Sequence, residues 1–316
     1  MATISDSTDS LLPVEGRSGP KRRVVLHART HPAEVQAQRV ANEVVRFLLD
    51  TGAFARDLRR DFLFHIVPMV NPDGVELGKA RQNANGVDLE GDWNQGEMQP
   101  ESKALKALFE RMTIGAIPAE IALNLHSDQY LCRRFFVFHE AGGTSDRYVD
   151  LEKTFIQGVR DRFPGGIQEW SFLRSWPYAT GFRYPEGYWW TRRGEATMAL
   201  TYEDSNCPGG GGYDSTARAL VLGSVDYLRN AAVSVAIPGR DMANAVLENG
   251  GVRFHRVEPG MSWEVRDPSG RSLAGRELEL GETLVPWRLF PQAPVRILVV
   301  MRRGHASQRL ILPLRF

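Results

Sequence analysis

The chain has 316 residues, of which 42% are hydrophobic and 24% are charged, which is enough apolar material for one large domain or for a large domain with a smaller one. Its 39 basic and 38 acidic residues leave a formal net charge of +1, which argues against nucleic acid or a membrane surface as a general partner. The two cysteines, Cys132 and Cys207, form no CxxC pattern, so neither thiol redox chemistry nor a structural zinc knuckle is expected.

The N-terminal segment is polar. Residues 1–21 contain Ser, Asp, Gly and Pro and are expected to form a loose N-terminal arm. They lack the apolar stretch and cleavage site of a signal peptide, and no run of 18 apolar residues occurs anywhere in the chain. The sequence therefore predicts a cytoplasmic protein without a membrane span.

Apolar strands and amphipathic helices alternate along residues 22–237. The predicted strands are 24–28, 62–70, 121–126, 134–139 and 196–202, and the predicted helices are 33–49, 101–113, 146–163 and 215–235. The segment NPDG, residues 71–74, is a turn by composition. This alternation indicates an α/β domain in which helices flank a mixed, mostly parallel sheet.

The composition changes after about residue 237. From residue 251 to residue 316, short β-like runs alternate with turn signals such as Asp267-Pro268-Ser269-Gly270. Residues 238–316 are therefore expected to form a small β-rich, β-sandwich-like C-terminal domain. Oligomerisation, partner binding and cover for a core are equally compatible roles for it.

Polar groups follow the first predicted strand where a helix is due to begin. His31 and Glu34 stand three residues apart, and Pro32 suits the first turn of a helix because it needs no N–H there. Both side chains can reach one point beyond the end of the strand, where open α/β sheets bind ligands. A plain polar helix start, with Glu34 favoured by the helix dipole, has the same pattern.

Two further strand ends carry groups of the same kind. His126 ends the strand 121–126 and completes a set of two histidines and a glutamate, which suits catalytic zinc with one position left for water. Glu203 follows the strand 196–202 and would act there as a general base. Taken singly, a histidine in the position of His126 is more often a satisfied strand-end histidine, and a glutamate in the position of Glu203 is usually a carboxylate at the rim of the sheet.

Five short motifs occur in order: HPAE (31–34), VNPDG (70–74), Arg81 and Asp88 within ARQNANGVDL (80–89), LHS (125–127) and TYEDS (201–205). In this order the chain resembles the M14 family of zinc carboxypeptidases, in its bacterial and cytosolic-carboxypeptidase-like branch, over residues 23–235. The resemblance implies a zinc carboxypeptidase-like fold. It also implies one zinc ion as cofactor, with His31, Glu34 and His126 as its ligands.

The resemblance implies roles for three further residues. Glu203 would activate the attacking water and later pass a proton to the leaving amine. Arg81 would polarise the scissile carbonyl and stabilise its oxyanion. Asp88 would bind a ligand histidine and fix its tautomer. The implied activity is hydrolysis of an amide bond in a peptide or small amide substrate.

One part of the family pattern is missing. The family commonly reads D-x-N-R-x-W where this chain reads Asp88-Leu89-Glu90-Gly91-Asp92-Trp93. The Asn-Arg pair, which grips the substrate's terminal carboxylate in the family, has become Glu90-Gly91. An acid there would repel a carboxylate and attract an amine, so we expect Glu90 to contact the substrate and to alter specificity.

Arginines elsewhere could replace the missing cation. The candidates are Arg133, Arg134, Arg183, Arg192 and Arg193, and each is equally compatible with a solvated surface charge. The aromatic segment 176–190 is expected to form a lid, with Tyr184 as the candidate for the family's mobile tyrosine. Tyr178 and Tyr188 are alternatives to Tyr184. His27, His65 and His139 are expected to be core or strand-end histidines.

Three functions stay open at this point. The leading hypothesis is a zinc metallocarboxypeptidase with altered specificity, since the ligand set, the base and the oxyanion arginine are all present. The second is a related deacylase or esterase that acts on a small acylated substrate without a terminal carboxylate. The third is a binding module that retains zinc without useful turnover, which only the loss of the Asn-Arg pair supports.

Overall fold

The structure is a computed structural model of the chain. It describes residues 1–6, 21–94, 96–114, 117–139, 143–174 and 183–231, together with the strands of the C-terminal part. The chain divides into two compact units, Met1–Tyr227 and Leu228–Phe316. The boundary predicted at residue 237 lies outside the described residues and stays a prediction.

The first unit is built on one sheet, which has seven strands in the described residues. They are β1 Ala2–Ile4, β2 Arg22–Ala28, β3 Phe62–Val67, β4 Ala119–Asp128, β5 Phe135–Phe138, β6 Leu173–Arg174 and β7 Met198–Ser205. Their order across the sheet is β1-β3-β2-β4-β7-β5-β6. The central strands β3, β2, β4 and β7 run parallel, whereas β1 and β5 pair antiparallel with β3 and β7. The predicted mixed, mostly parallel sheet is confirmed.

Helices accompany the sheet, as the sequence predicts. They are α1 Val35–Leu48, α2 Ala53–Asp61, α3 Pro72–Glu76, α4 Pro100–Ile114, α5 Asp146–Asp161, α6 Pro185–Arg193 and α7 Tyr213–Ala231. In α1 the buried residues Ala37, Val40, Val44 and Leu48 recur every three or four positions, which is the stripe that a helix packs against a core. The four long helices predicted from periodicity are all present.

The central strands explain where a site can form. Val25 in β2 and Leu123 in β4 are fully buried, as in parallel sheets that are covered on both faces. The register places His126 of β4 beside Glu203 of β7, and Ala28 of β2 beside Leu125 of β4. The carboxyl ends of three parallel strands therefore meet at one edge of the sheet.

The segment predicted as a turn, NPDG, is the start of the short helix α3. Asn71 is its N-cap residue, and its side chain accepts a hydrogen bond of 3.0 Å from the backbone N–H of Gly74. Pro72 occupies the first turn. The same residues favour turns and helix starts because both leave backbone N–H groups that a side chain must satisfy.

The first residues differ from the expected loose arm. Ala2–Ile4 forms an edge strand on β3, and Ile4 is buried. Lys21 is also buried and makes an ion pair of 2.6 Å with Asp6. The pairing with β3, the buried side chain of Ile4 and a contact of 3.0 Å between the hydroxyl of Thr3 and Nδ1 of His65 tie these residues to the sheet, while residues 7–20 lie outside the described part of the chain.

The aromatic segment predicted as a lid contains a helix. Residues 175–182 lie outside the described residues, but α6 begins at Pro185, whose fixed φ suits a first turn. Tyr188 and Trp189 are buried and contact the ring of Phe109 on α4. This part of the segment therefore belongs to the core of the unit.

Cys132 and Cys207 form a disulfide, with their Cα atoms 5.5 Å apart. The bond joins the loop after β4 to the loop after β7 across 75 residues of sequence. Spacing alone does not indicate such a pairing. Within the described residues, no helix is long and apolar enough to span a membrane.

Beyond residue 231, the described parts of the second unit are strands. The strands are β8 Ala245–Glu248, β9 Gly251–Phe254, β10 Met261–Arg266, β11 Ser272–Glu277, β12 Leu284–Pro286, β13 Arg296–Arg302 and β14 His305–Leu312. They form two antiparallel sheets, with the orders β11-β10-β13-β14 and β12-β9-β8. The described strands match the β-rich domain expected from the sequence, and its sandwich packing stays a prediction.

Candidate active site

His31, Glu34 and His126 converge at the carboxyl edge of the sheet. Nδ1 of His31 lies 2.6 Å from Oε1 of Glu34, and Nδ1 of His126 lies 2.8 Å from Oε2 of Glu34. The two Nδ1 atoms are 3.1 Å apart. Two imidazole nitrogens and a carboxylate that face one point are the donor set preferred by zinc, so these residues could hold a metal ion.

The turn between β2 and α1 positions the first two of these residues. Arg29 has a positive φ of 62°, a conformation that is uncommon outside glycine. Its buried guanidinium donates a hydrogen bond of 2.6 Å to the carbonyl of Pro32 and another to Gln38. Glu34 is the N-cap residue of α1 rather than part of its first turn, and its side chain makes no capping bond. The carboxylate therefore faces the histidines.

Two further carboxylates lie against the Nε2 atoms of the two imidazole rings. Nε2 of His31 lies 3.1 Å from Oδ1 of Asp88, and Nε2 of His126 lies 3.2 Å from Oε2 of Glu90. Asp88 and Glu90 come from the same 3₁₀ turn, Leu89–Gly91, which Asp88 caps by accepting from the backbone N–H of Glu90. Each imidazole is thus fixed at both nitrogens, which sets its orientation.

Glu90 is held by other residues of the chain, and its expected contact with the substrate stays a prediction. The sequence predicts a carboxylate directed at the substrate, but Glu90 is only 8% exposed. It accepts a hydrogen bond of 2.9 Å from Nδ2 of Asn124 in addition to its contact with His126. The reason is the 3₁₀ turn, which points Glu90 inward towards β4. Its remaining surface lines the pocket described below.

The charges of this cluster stabilise one another. Burial lowers the pKa of His126, but Glu34 and Glu90 outweigh it and raise that pKa well above its ordinary value. Burial raises the pKa of Glu34, but His126 and His31 outweigh it and lower that pKa to about 2. Without a metal, protons on the imidazoles therefore balance the carboxylates. A cation bound by the same groups would replace those protons.

Glu203 and Arg81 lie at the same pocket as the three candidate ligands. Oε2 of Glu203 is buried and has no hydrogen-bond partner among the described residues, and burial raises the pKa of this carboxyl to about 8. Arg81 donates a hydrogen bond of 2.7 Å from Nε to Oδ2 of Asp88, while its side chain is 58% exposed. The carboxylate of Glu203 and the exposed guanidinium of Arg81, which is held by Asp88, therefore line the same pocket.

The pocket has a volume of about 200 Å³. Its walls beyond the residues already named include the acid Glu186 and the aromatic residues Tyr148, Tyr184 and Trp190. Tyr184 therefore lines the pocket, and its role as the mobile tyrosine stays a prediction. Tyr188 packs in the core instead, and Tyr178 lies outside the described residues.

Two of the arginines proposed as substitute cations make their contacts outside the pocket. Neither Arg133 nor Arg134 lines the pocket among the described residues, contrary to expectation. Arg134 makes an ion pair of 3.2 Å with Asp204, and Arg133 donates to the carbonyl of Cys132. Loop geometry after β4 thus turns both side chains to other partners.

Arg183 is the candidate that lies beside the altered motif. A Cβ atom added to Gly91 would stand 3.3 Å from Nε of Arg183 and 3.6 Å from one of its terminal nitrogens. The carbonyl of Arg183 also accepts a bond of 3.4 Å from the backbone N–H of Trp93. Glycine at position 91 therefore leaves the space that this guanidinium fills.

Among the described residues, His27 and His65 are buried, as expected, and His139 is partly buried. Burial lowers the pKa of His27 to about 3 and that of His65 to about 4. His139 is held by Glu152, with 2.6 Å between Nδ1 and Oε1. His139 also lines the pocket, which its position at a strand end did not indicate.

Sequence reasoning missed several residues of the site, among them Arg29, Asn124 and Glu186. Asn124 stands two residues before His126 on β4, and alternate residues of a strand share a face. A polar side chain within an apolar strand was the available signal. For Glu186 the signal was an acid within an aromatic segment, whereas the positive φ of Arg29 had none.

The fold and this site together define a metal-dependent hydrolase. The family model for zinc carboxypeptidase matches residues 1–208, and the chain belongs to this family, M14. Zinc is the metal that the name of the family states, and the triad of His31, Glu34 and His126 fits it.

Curated relatives carry related names. Over 144 residues the chain is 40% identical to cytosolic carboxypeptidase 6 of Caenorhabditis elegans, which covers 44% of this chain and 30% of that protein. Over 97 residues it is 38% identical to cytosolic carboxypeptidase 4 of Homo sapiens, which covers 30% of this chain and 9% of that protein. The matched segments thus span less than a third of either relative.

Solved structures share the fold. A metallo-carboxypeptidase from Burkholderia cenocepacia superimposes with a TM-score of 0.57 and 23% identity, over 72% of this chain and 60% of that chain. A metallo-carboxypeptidase from Pseudomonas aeruginosa gives a TM-score of 0.56 and 22% identity over the same shares. At these identities the likeness concerns the fold alone.

Proposed function

We propose that the chain is a metallocarboxypeptidase that hydrolyses an amide bond in a peptide or a small amide, with one zinc ion held by His31, Glu34 and His126. The observation that carries the proposal is that Oε2 of Glu203, in the pocket lined by the three candidate ligands, has no hydrogen-bond partner among the described residues. Zinc, when bound, supplies a Lewis acid and lowers the pKa of a water molecule.

Glu203 is the proposed general base and general acid. Its free oxygen can accept a proton from the attacking water, and burial, which raises the pKa of the carboxyl, helps it to hold that proton. The proton can then pass to the departing amine nitrogen, which must be protonated before it leaves. Register fixes Glu203 beside His126, so the base stays next to the metal ligands.

Arg81 is the proposed stabiliser of the carbonyl oxygen. Its guanidinium is exposed at the pocket and is tethered through Nε to Asp88. A fixed cation contributes most where negative charge develops during the attack. Asp88 and Glu90 act through the histidines, because each holds an outer ring nitrogen and so keeps Nδ1 directed at Glu34.

The variant Glu203→Gln tests the proposal. It keeps the shape of the side chain but cannot accept the proton, so turnover should fall by at least about 10²-fold, while zinc content stays at one ion per chain. Glu110→Gln is the matched control, since Glu110 is exposed on α4 and lies outside the pocket. Undiminished turnover in Glu203→Gln would remove Glu203 from the reaction.

Hydrolysis of acylated molecules without a terminal carboxylate is a second candidate function. It is favoured because, among the described residues that line the pocket, Arg81 is the sole arginine or lysine.

Peptides with a free C-terminus and the same peptides with an amidated C-terminus separate the two functions. In a carboxypeptidase, Arg183→Ala should raise KM for the free peptide alone, because this guanidinium lies over Gly91. Zinc binding without turnover on either series would indicate a binding module.

The cytoplasmic location stays a prediction. The relatives named above are cytosolic by name, whereas disulfides such as Cys132–Cys207 persist mainly in oxidising compartments. Thiol titration of the protein from its native compartment would show which environment the chain occupies.

A further inference from the structure

The disulfide between Cys132 and Cys207 lies close to the strand ends that carry the candidate site. Cys132 follows His126 by six residues along the chain, and Cys207 follows Glu203 by four. Residues 121–128 of β4 pair in register with β7, so the disulfide joins the two chain segments a few residues beyond the last pair. The proposed hydrolysis uses neither sulfur atom.

The loop after β4, residues 129–134, holds Cys132 in a conformation that its backbone does not favour. Cys132 has a positive φ of 55°, which is uncommon outside glycine because the Cβ atom crowds the following carbonyl. Oδ2 of Asp128 accepts hydrogen bonds from the backbone N–H groups of Tyr130, at 3.0 Å, and Cys132, at 3.2 Å. The disulfide is a further restraint on Cys132, so cleavage of the S–S bond would let this loop relax.

The same loop contacts the strand that carries Glu203. Arg134, its last residue, makes an ion pair of 3.2 Å with Asp204, the residue next to Glu203. Asp204 is fully buried, and a buried charge is unfavourable when its partner moves away. Arg134 also donates a hydrogen bond to the carbonyl of Gly211, in the loop after β7. A displacement of the loop after β4 would therefore act on the end of β7, where Glu203 stands.

The disulfide is accessible from solvent. Both cysteines are partly exposed, and their neighbours Tyr130, Leu131 and Pro208 are exposed. Thiol–disulfide exchange requires such access, because a thiolate must attack one of the two sulfur atoms. Disulfides persist in oxidising compartments, whereas those found in the cytosol are usually catalytic or redox-sensing. An accessible disulfide between two loops of a candidate active site is thus well placed to sense redox conditions.

We propose that this disulfide is a reversible redox switch of the hydrolase. The oxidised chain holds His126 and Glu203 in their working positions, and the reduced chain is impaired because the loops after β4 and β7 are no longer joined. The inference rests on the proposed function, since the activity of that site is what the switch controls. The chain would then be fully active in an oxidising environment and weakly active in a reducing one.

The co-reactant that opens the disulfide is a dithiol. One of its thiolates attacks a sulfur atom of the chain, which breaks the S–S bond and forms a mixed disulfide with one cysteine. The second thiol of the reagent then attacks the mixed disulfide and leaves as an intramolecular disulfide. The chain gains two electrons and two protons as two cysteine thiols, and the dithiol loses the same number of each.

The test compares turnover of the zinc-loaded full chain before and after reduction with dithiothreitol. Reduction should lower kcat by at least about tenfold, since a misplacement of about 1 Å can cost about 10²-fold, and reoxidation with oxidised dithiothreitol should restore it. The variant Cys132→Ser/Cys207→Ser should have the kcat of the reduced chain and should not respond to dithiothreitol. An equal response of this variant would overturn the inference, because the reagent would then act on the zinc ion.

The melting temperature distinguishes a switch from a cross-link that only stabilises the fold. Removal of the disulfide should lower the melting temperature in either case. A reduced chain that keeps the kcat of the oxidised chain well below its melting temperature would overturn the inference. If the double serine variant does not fold, stepwise titration of the folded wild-type chain with reduced and oxidised dithiothreitol makes the same comparison.

Zinc affinity separates failure of this inference from failure of the proposed function. Turnover that is present in the oxidised chain and unchanged by reduction overturns the inference alone. Absence of turnover in the oxidised chain overturns the function, and the dissociation constant for zinc then decides the inference. An increase of at least about tenfold in the double serine variant would support it, because a displaced His126 binds the metal less tightly. An unchanged constant would overturn both.

Discussion

Replacing Glu90 by glutamine isolates the contact that the sequence did not predict. Glu90 accepts from two donors, Nδ2 of Asn124 at 2.9 Å and Nε2 of His126 at 3.2 Å. A carboxylate can satisfy both, but an amide has one acceptor oxygen, so its NH₂ group would face one of the donors. A buried donor left without a partner costs about 1–3 kcal/mol.

The expected effect of Glu90→Gln is weaker zinc binding. Loss of an outer partner of a metal-bound histidine typically reduces metal affinity by about 10- to 100-fold, or about 1.4–2.7 kcal/mol, which agrees with the cost of one unsatisfied donor. Glutamine would remove the negative charge that holds the His126 ring. We therefore expect zinc affinity to fall more than the free energy of unfolding does.

Competition with a chromophoric zinc chelator at fixed pH measures this effect. Asp92→Asn is the matched control. Asp92 lies two residues beyond Glu90 and accepts from the backbone N–H of Gln99; its described hydrogen bonds involve neither histidine. An unchanged dissociation constant in Glu90→Gln, or an equal loss in Asp92→Asn, would show that the contact with His126 does not support the metal.

Three further outcomes follow from the same site. Zinc binding to the metal-free protein at pH 7 should release protons, since the pKa of His126 is raised well above its ordinary value; a binding enthalpy independent of the buffer's ionisation enthalpy would contradict this. In metal-free protein, the pKa of Glu34 is lowered from 4.5 to about 2, so its stabilisation is present above pH 4.5 and is lost as the pH falls towards 2; thermal melts of Glu34→Gln should lack this part of the pH dependence. Gly74→Ala should lower the melting temperature by the equivalent of about 1–3 kcal/mol, because the new Cβ would stand 2.7 Å from Cγ of Pro32. Gly158→Ala is the control: a Cβ there meets nothing within 4 Å, so this variant should not be destabilised.

The fold and the convergence of the candidate catalytic residues follow from local patterns in the sequence. Apolar runs predict the parallel strands, and the carboxyl ends of such strands share an edge, which brings His31, Glu34, His126 and Glu203 together. The resemblance to the M14 family adds Arg81 and Asp88, and the structure places Arg81 at the same pocket and Asp88 against Arg81 and His31. Their chemical roles stay proposals.

The features that escaped prediction depend on contacts between distant segments. The direction of Glu90 is set by a 3₁₀ turn and by two residues of β4, none of which a local pattern shows. Glu186 joins the pocket only because α6 packs beside β7, where Thr201 anchors it. The disulfide joins two loops that become neighbours only when β4 and β7 pair.

The register between β4 and β7 has a consequence for mutational tolerance. Side chains alternate between the two faces of a strand, so deleting one residue within Met198–Leu200 would turn Thr201 and Glu203 to the opposite face together. The proposed base and the hydroxyl that anchors Glu186 would leave the pocket in one step, although the sheet could still form. Insertions and deletions should therefore be far more damaging inside β7 than in the loop that follows it, and natural length variation is expected to accumulate there.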